Sequence, residues 1–298
     1  MGKITIYSQA CNEIAGFRSM SEEFTRKLVI NGKSKSTYQN YLRQIAKLSL
    51  YYGCLPLDLD TDQVEEYLYY LIQKDTDAQS SFKHLVYGLR KLYLLMDRED
   101  LQLAPPSIGR AEKLPVVLST QEVKSLLKAP KHLSQRVMFG LIYDTGLRIE
   151  ELTCLLIADV DLDRRQIHVR QSKYKKDRYV TMSGHAVRGI KKHLALASPR
   201  KYLFESRVRK GNPISKTKIR TLLKEAVEKA GIKKQVCVHT LRHTYATHQL
   251  EAGQNIMTVK DSMGHSDIQT TLVYLHIAQL DNGKKFGCME KLYQKSNG

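Results

Sequence analysis

The sequence contains no apolar run that approaches the roughly 20 residues needed to cross a bilayer. Its first residues, MGKITIYSQACNEIAGF, lack the continuous apolar stretch of a secretory signal. Ile6 stands where a myristoylation signal requires Ser or Thr. We therefore expect neither a membrane span nor a signal peptide nor a lipid anchor.

The sequence lacks paired cysteines, because no two of them are spaced as CxxC. The five cysteines are odd in number and scattered along the chain: Cys11, Cys54, Cys154, Cys237 and Cys288. This usage argues against a disulfide framework and against a thiolate zinc site. It predicts a protein of the reducing cytosol.

Acidic residues are outnumbered. The chain has 48 Lys and Arg against 30 Asp and Glu, which gives a net charge of +18 and a pI near 9.6. Such an excess predicts a partner rich in phosphate, because cationic side chains attract polyanions. Nucleic acid and anionic membrane surfaces attract the same residues, so charge alone does not decide between them.

The 298 residues suffice for two domains, and the pattern divides them. Residues 1–17 show no strong periodicity and are interpreted as an N-terminal extension. Residues 18–100 contain about four amphipathic helices, which predict a compact helical domain. Residues 101–116 interrupt all periodicity with prolines and a glycine, and they indicate a linker.

Residues 117–281 predict a second domain that is mostly helical. Its one strand-like passage is a hairpin of Gln166–Arg170 and Arg178–Met182 around a basic turn, with Ile167, Val169 and Val180 as alternating apolar positions. Residues 282–298 end in a short amphipathic tail helix. The fold class is therefore mainly α, of the α+β type, with one small antiparallel sheet.

Two stretches of the chain are rich in basic residues. In the first domain basic residues interleave with aromatic ones, and the candidates are Lys33, Lys35, Tyr38, Arg43, Lys83 and Arg90. In the second, the segment RVRKGNPISKTKIR provides Arg207, Arg209, Lys210, Lys216 and Lys218 without a carboxylate. A solvated surface would have similar residues. Because the motifs described below indicate DNA chemistry, we interpret both groups as contacts to DNA phosphates.

The stretch from Val238 to His276 concentrates reactive side chains. His239 and Arg242 are one helical turn apart, and His265 and Tyr274 follow within the same stretch. A phenol is a weak nucleophile near neutral pH because its pKa is about 10. Among cations, however, it can attack a phosphodiester and become covalently attached.

Two further cations complete this arrangement. Arg148 lies in TGLRIEEL, where a surface ion pair with Glu150 or Glu151 is the plainer interpretation. Together with Arg242 it provides two planar guanidinium groups that can bind both non-bridging oxygens of one phosphate. Lys173, at the tip of the predicted hairpin, suits a general acid that reaches a leaving oxygen. The alternatives for that role, Lys175 and Lys176, stay open.

A metal site is the competing interpretation, because His239, His243 and His248 lie close together in sequence. The chain has no HExxH motif, and no acidic ligand is placed beside these histidines. We therefore expect no metal. His248 falls on the opposite side of the helix from His239, whereas His243 roughly shares its face.

These motifs together resemble the tyrosine recombinase family (phage integrases and Xer-like recombinases). The resemblance rests on TGLRIEEL, Lys173, HTLRH, MGHSDIQTT and the following tyrosine, and it extends from about residue 18 to the tail. It implies a catalytic set of Arg148, Lys173, His239, Arg242, His265 and Tyr274, with Glu151 orienting Arg148. Ser262 and Met263 replace the usual Leu before the motif glycine, and residues 1–17 have no counterpart.

The resemblance also implies a reaction and an assembly. Tyr274 would form a 3′-phosphotyrosine bond. The charged transition state would be stabilised by Arg148, Arg242 and His265. His239 would assist removal of the phenol proton, and Lys173 would protonate the leaving oxygen. No metal, ATP or other cofactor is expected. A core-binding domain and a catalytic domain would form a C-shaped clamp on double-stranded DNA, as a dimer on one site and a tetramer in synapsis, with exchange of the C-terminal tail.

Two other functions stay open from the sequence. The chain could be a DNA-binding accessory protein that keeps the fold without the chemistry, although binding alone does not need the six-residue set. It could also be a type IB topoisomerase-like enzyme that relaxes supercoils. In each case we expect a bacterial cytosolic protein, or one encoded by a phage or mobile element.

Overall fold

The computed structural model describes residues 5–74, 79–98, 100–101, 103, 114–170 and 177–278. The chain divides into two compact units, Met1–Ala111 and Glu112–Gly298. The division falls within the predicted linker, residues 101–116. Within the described residues, both units are built mainly from helices, and the second also contains a small sheet, as the sequence predicts.

The first unit is a bundle of amphipathic helices around one apolar core. Its described helices are α1 (Ile6–Glu13), α2 (Phe17–Ile30), α3 (Lys35–Tyr52), α4 (Thr61–Lys74) and α5 (Gln79–Leu95). Phe17, Phe24, Ile45 and Leu89 are fully buried in it. Burial of such side chains stabilises the bundle by about 1.5–3 kcal/mol each.

The N-terminal residues are part of this bundle, which corrects the interpretation of residues 1–17 as an extension. Thr5 caps α1 by accepting a hydrogen bond from the Ser8 amide at 3.1 Å. Ala10 and Ile14 are buried in the same core as Phe17. Their spacing of four and three residues places one apolar stripe on the core.

The second unit contains the remaining described helices and the sheet. The helices are α6 (Thr120–Lys128), α7 (Leu133–Thr145), α8 (Ile149–Cys154), α9 (Gly184–Ala197), α10 (Lys216–Lys229), α11 (Val238–Glu251), α12 (Ile256–Met263) and α13 (Gln269–Leu275). The predicted capping box of α6 is present: Ser119 and Glu122 each accept the other's amide hydrogen.

The sheet has the antiparallel order β1 (Val160–Asp161), β2 (Gln166–Val169) and β3 (Arg178–Thr181). The predicted hairpin is β2 and β3, in which Ile167 pairs with Val180. Both of these side chains are buried, so their alternation identified the core face correctly. The two-residue strand β1 was not predicted. The hairpin tip, residues 171–176, lies outside the described residues.

Candidate active site

Arg242 lies at the centre of the site and is almost completely buried in α11. Its Nη1 donates to the Gly146 carbonyl oxygen, and its Nη2 donates to the Met263 carbonyl oxygen at 2.6 Å. Burial, and then the charge of Arg148, lower the pKa of Arg242 to about 9. The guanidinium is therefore still charged at neutral pH, and backbone oxygens hold it in place.

Gly146 allows this close approach. It ends α7 in the left-handed conformation, with φ +65°. A Cβ at this position would lie 2.6 Å from Cδ1 of Tyr245. Only glycine therefore brings α7 and α11 near enough for Arg242 to reach the Gly146 carbonyl.

His265 is held between Arg242 and a buried threonine. Arg242 Nη2 lies 3.0 Å from His265 Nε2, and His265 Nδ1 lies 2.9 Å from Thr271 Oγ1. A guanidinium only donates, so Nε2 accepts and Nδ1 carries the hydrogen that Thr271 receives. Burial, and then the charge of Arg242, lower the pKa of His265 to about 3. In this arrangement the ring is neutral, and its Nε2 is an acceptor.

Arg148 is anchored by Glu151, as the resemblance implies. Its backbone amide donates to Glu151 Oε2 at 2.8 Å, and its Nη1 donates to Oε1 at 2.9 Å. Its Nη2 donates to the Gly264 carbonyl oxygen at 2.8 Å. The arginine is the N-cap residue of α8, and it also contacts Gly264, the residue that follows α12. It thus lies beside His265, the next residue after that glycine.

Arg178, on strand β3, binds the other side of Glu151. Nη1 and Nη2 each donate to one carboxylate oxygen at 2.8 Å, and Nε donates to the Ser262 carbonyl oxygen at 2.9 Å. Burial alone would raise the pKa of Glu151, but the hydrogen bonds and charge of Arg178, together with Arg148, outweigh it and lower the pKa to about 2. The carboxylate is therefore ionised and fixed by two arginines.

Gly264 fits closely against this ion pair. It ends α12 at φ +62°, and a Cβ there would lie 2.9 Å from Nη1 of Arg178. The His265 amide then donates to the Lys260 carbonyl oxygen at 3.1 Å. The turn at Gly264, which orients His265 toward Arg242, therefore packs directly on Arg178.

Tyr274 is buried in α13, within an apolar cluster that includes Tyr245, Val259 and Met263. Its ring stacks on His265, with ring centroids 6.4 Å apart. Burial raises its pKa, while the charges of Arg242 and Arg148 act in the opposite direction. The phenol is therefore protonated at neutral pH, and residues of its own chain hold it.

The Tyr274 hydroxyl contacts His243, which is not one of the six residues implied by the resemblance. Its oxygen lies 2.8 Å from His243 Nδ1. The ring of His239 is exposed, and its centroid lies 6.3 Å from that of His243. Although His239 is exposed to solvent, desolvation by the protein packed around it, and then the charge of Arg242, lower its pKa.

The site thus brings together Arg148, His239, Arg242, His265 and Tyr274. Lys173 and its competitors Lys175 and Lys176 lie outside the described residues. His248 points away from this group, as predicted, and its Nδ1 lies 2.9 Å from the hydroxyl of Tyr143. Among the described residues, no group of three or more His, Cys, Asp or Glu side chains is arranged to hold a metal.

The predicted DNA contacts are largely exposed. Arg207, Arg209 and Lys210 lie on the surface of one loop. The Glu205 carboxylate organises this loop by accepting backbone hydrogen bonds from Arg200, Lys201, Tyr202 and Gly211. In the first unit, Lys33 and Arg90 line one cleft with Tyr41 and Tyr87. Lys216 is exposed and forms an ion pair with Glu150 at 2.8 Å.

Sequence reasoning missed the contributions of Arg178, His243 and Thr271. Arg178 was taken only as the start of a strand, and no local pattern indicated that it reaches Glu151, 27 residues earlier. The helical spacing did place His243 near the face of His239. It could not indicate that the partner would be Tyr274.

The comparisons with known proteins agree on one family. Residues 116–280 match the model of the phage integrase family, and residues 20–102 match the phage integrase N-terminal SAM-like domain. A tyrosine recombinase of Thermosipho africanus is 31% identical over 273 residues, which are 87% of this chain and 94% of that protein. Tyrosine recombinase XerA of Thermococcus kodakarensis is 33% identical over 283 residues, covering 93% and 97%.

Solved structures give the same result. The crystal structure of XerA recombinase aligns with a TM-score of 0.52 and 26% identity, and the alignment covers 95% of this chain and 99% of that one. The Tn1549 transposon integrase in complex with transposon right end DNA aligns with a TM-score of 0.69, covering 92% and 99%; at 18% identity it shows the fold alone.

The chain therefore belongs to the phage integrase family. It is a tyrosine-type site-specific recombinase, an enzyme that cleaves and rejoins DNA. None of the described helices is long and apolar enough to cross a membrane.

Proposed function

We propose that this recombinase cleaves DNA with Tyr274 and holds one strand end as a 3′-phosphotyrosine ester while it exchanges partners. The observation that carries the proposal is the stacking of Tyr274 on His265, which Arg242 contacts at 3.0 Å. The charges of Arg242 and Arg148 act on the Tyr274 phenol, and cations near a phenol favour its attack on a phosphodiester.

Each polar residue of the site has a role in this reaction. Arg148 and Arg242 bind the non-bridging oxygens, where charge accumulates as phosphorus becomes five-coordinate. His265 holds Arg242 in position through its Nε2. His239 assists removal of the phenol proton. Lys173, at the hairpin tip, protonates the leaving 5′ oxygen.

The bond energy of the cleaved strand is kept in the tyrosyl ester, so we propose that neither ATP nor a metal takes part. Positioning and electrostatics account for most of the acceleration in phosphoryl transfer of this kind. This role of positioning and electrostatics is supported by the buried Arg242 and the ionised Glu151, because both are fixed before any substrate binds.

Double-stranded DNA is the proposed substrate, and the net charge of +18 supports it. We propose that the exposed cations of the 207–210 loop and of the first unit contact phosphates. A related fold, the Tn1549 transposon integrase, was solved in complex with transposon DNA. We further propose dimers on one site, tetramers in synapsis and exchange of tail residues 282–298.

The enzyme would act where DNA is present, in a bacterial cytosol, as a host protein or one encoded by a phage or mobile element. The odd number and scattered spacing of the cysteines support a reducing compartment. Selection of duplexes from a random pool on Tyr274→Phe protein would identify the recognised sequence and provide the substrate for the experiments below.

The test is covalent adduct formation in EDTA. Wild type and Tyr274→Phe are incubated with the selected duplex, and denaturing gels show protein attached to labelled DNA. We expect an adduct with wild type alone, and a free 5′-hydroxyl that polynucleotide kinase can label. An adduct with Tyr274→Phe, or none with wild type unless metal is added, would contradict the mechanism.

A further inference from the structure

Tyr274 and His243 form the one described hydrogen bond that involves the reacting oxygen itself. The Tyr274 hydroxyl oxygen and His243 Nδ1 are 2.8 Å apart, and the ring centroids are 5.6 Å apart. This is hydrogen-bond distance for direct proton transfer. The contact joins α11 to α13 across 31 residues of sequence.

Burial decreases stepwise from the phenol to the solvent. Tyr274 is buried, His243 is half-buried and His239 is exposed. The His239 ring lies next to the His243 ring, with centroids 6.3 Å apart. The two imidazoles of α11 thus lie between the nucleophile and bulk water, with His243 at the phenol and His239 at the surface.

We propose that His243 is a catalytic residue of this enzyme, the group that accepts the Tyr274 proton, and that His239 carries the proton onward to solvent. The inference rests on the proposed function, because it needs Tyr274 as the nucleophile. It adds a seventh residue to the expected set and gives the direct contact with the phenol to His243.

The step balances without a further reactant. The bond from Tyr274 Oη to phosphorus forms while the bond from phosphorus to the 5′ oxygen breaks. The phenol proton moves to His243 Nδ1, and the leaving 5′ oxygen takes a proton from the general acid, Lys173. Religation runs the same transfers backward, so His243 returns its proton to Tyr274.

The resting site keeps His243 ready to accept a proton. Burial, and then the charges of His239 and Arg242, lower its pKa to about 4. The ring is therefore neutral at pH 7, and neighbouring His265 is neutral as well. A DNA phosphate bound by Arg242 adds a negative charge that offsets the cations. His243 becomes a stronger base when substrate is bound.

The same helix provides a matched control. His248 Nδ1 lies 2.9 Å from the hydroxyl of Tyr143, so α11 contains a second histidine that binds a tyrosine hydroxyl. That pair lies outside the site. His243→Gln and His248→Gln each leave an amide oxygen that can accept the tyrosine hydrogen bond but cannot take up the proton.

The experiment measures single-turnover adduct formation by wild type, His243→Gln and His248→Gln, each at saturating protein. The selected duplex is used in two forms, one with a normal 5′ oxygen and one with sulfur at the bridging 5′ position of the cleaved bond. A thiolate leaves without a proton, so the sulfur form removes the need for a general acid but keeps the need for a base.

We expect His243→Gln to be about 10²–10⁴ times slower than wild type with both substrates, and His248→Gln to match wild type. The rate of His243→Gln should rise about tenfold per pH unit from pH 6 to 9, because the phenol must then ionise unaided. The wild-type rate should change little over this range, because His243 is already neutral.

Three results would overturn the proposal: a wild-type rate for His243→Gln, rescue of this variant by the sulfur substrate, or a pH profile parallel to that of wild type. The last would indicate a structural role. Wild-type and Tyr274→Phe proteins are measured alongside. Adduct formation by wild type but not by Tyr274→Phe upholds the proposed function. Any of the three results above then refutes only the role of His243.

Discussion

Arg178 binds Glu151 through two parallel hydrogen bonds of 2.8 Å, one from each terminal guanidinium nitrogen to each carboxylate oxygen. Glu151 in turn fixes Arg148, and Arg178 also binds the end of α12. One ion pair therefore connects strand β3 to Arg148, the arginine expected to bind phosphate. Four predictions concern the residues around this arrangement.

Arg178→Lys should destabilise the protein and slow adduct formation. A lysine cannot form the two parallel bonds, and part of the buried carboxylate is left unpaired, which costs about 1–3 kcal/mol. Urea unfolding measures the loss. Arg207→Lys is the control, because Arg207 lies exposed on the surface of its loop and the variant should unfold like wild type. Equal effects of the two substitutions would contradict the special role of Arg178.

Glu151→Gln should remove a pH-dependent part of the stability. The pKa of Glu151 falls from 4.5 to about 2 on folding, so ionisation stabilises the folded state above pH 4.5, on the order of 3 kcal/mol. This contribution disappears as the pH falls from 4.5 toward 2. Unfolding free energies of wild type and variant should therefore differ most above pH 4.5 and approach each other as the pH falls toward 2. A constant difference over that range would be inconsistent with the ion pair.

Gly146→Ala should be more harmful than the same change at Gly231. The two glycines have nearly the same φ, +65° at Gly146 and +66° at Gly231. A new Cβ would collide with Tyr245 at Gly146, whereas at Gly231 it would meet no atom within 4 Å. Gly231→Ala should cost about 1–2 kcal/mol for the left-handed backbone. Gly146→Ala should cost more and should slow adduct formation, because it displaces the carbonyl that holds Arg242. Calorimetry of both variants measures the difference, and similar melting temperatures would refute it.

Thr271→Val should disturb His265 without changing the size of the side chain. It leaves the Nδ1 hydrogen of His265 unpaired in a buried position, at a cost of about 1–3 kcal/mol. Arg242 loses a fixed acceptor, so we expect slower adduct formation. Thr271→Ser should restore much of the activity, and Thr270→Val, on the exposed side, should behave like wild type. Full activity of Thr271→Val would show that His265 needs no support.

The sequence was most informative where periodicity and motif coincide. The helices of the second unit, the alternation in β2 and β3, and the grouping of Arg148, Arg242, His265 and Tyr274 follow from spacing and from the family resemblance. Helix α1 was missed because its apolar positions are few and include a small residue, Ala10. Its stability depends on packing against α3, and a short stretch of sequence contains no information about that contact.

The connections between distant residues could not be predicted. Glu151 and Arg178 are far apart in sequence, as are His243 and Tyr274, and such pairs form only when tertiary packing brings two elements together. The direction of each pKa change could not be predicted from the sequence either. Burial decides it at Arg242 and His265, whereas at Glu151 two arginines outweigh burial.

The most direct test of Tyr274 as the nucleophile is to locate the attached nucleotide. The adduct formed with the selected duplex is digested with nuclease and trypsin, and mass spectrometry determines which side chain retains the phosphate. We predict a phosphotyrosine-linked nucleotide on Tyr274, in the peptide spanning residues 261–284. A nucleotide attached to any other residue would contradict the mechanism.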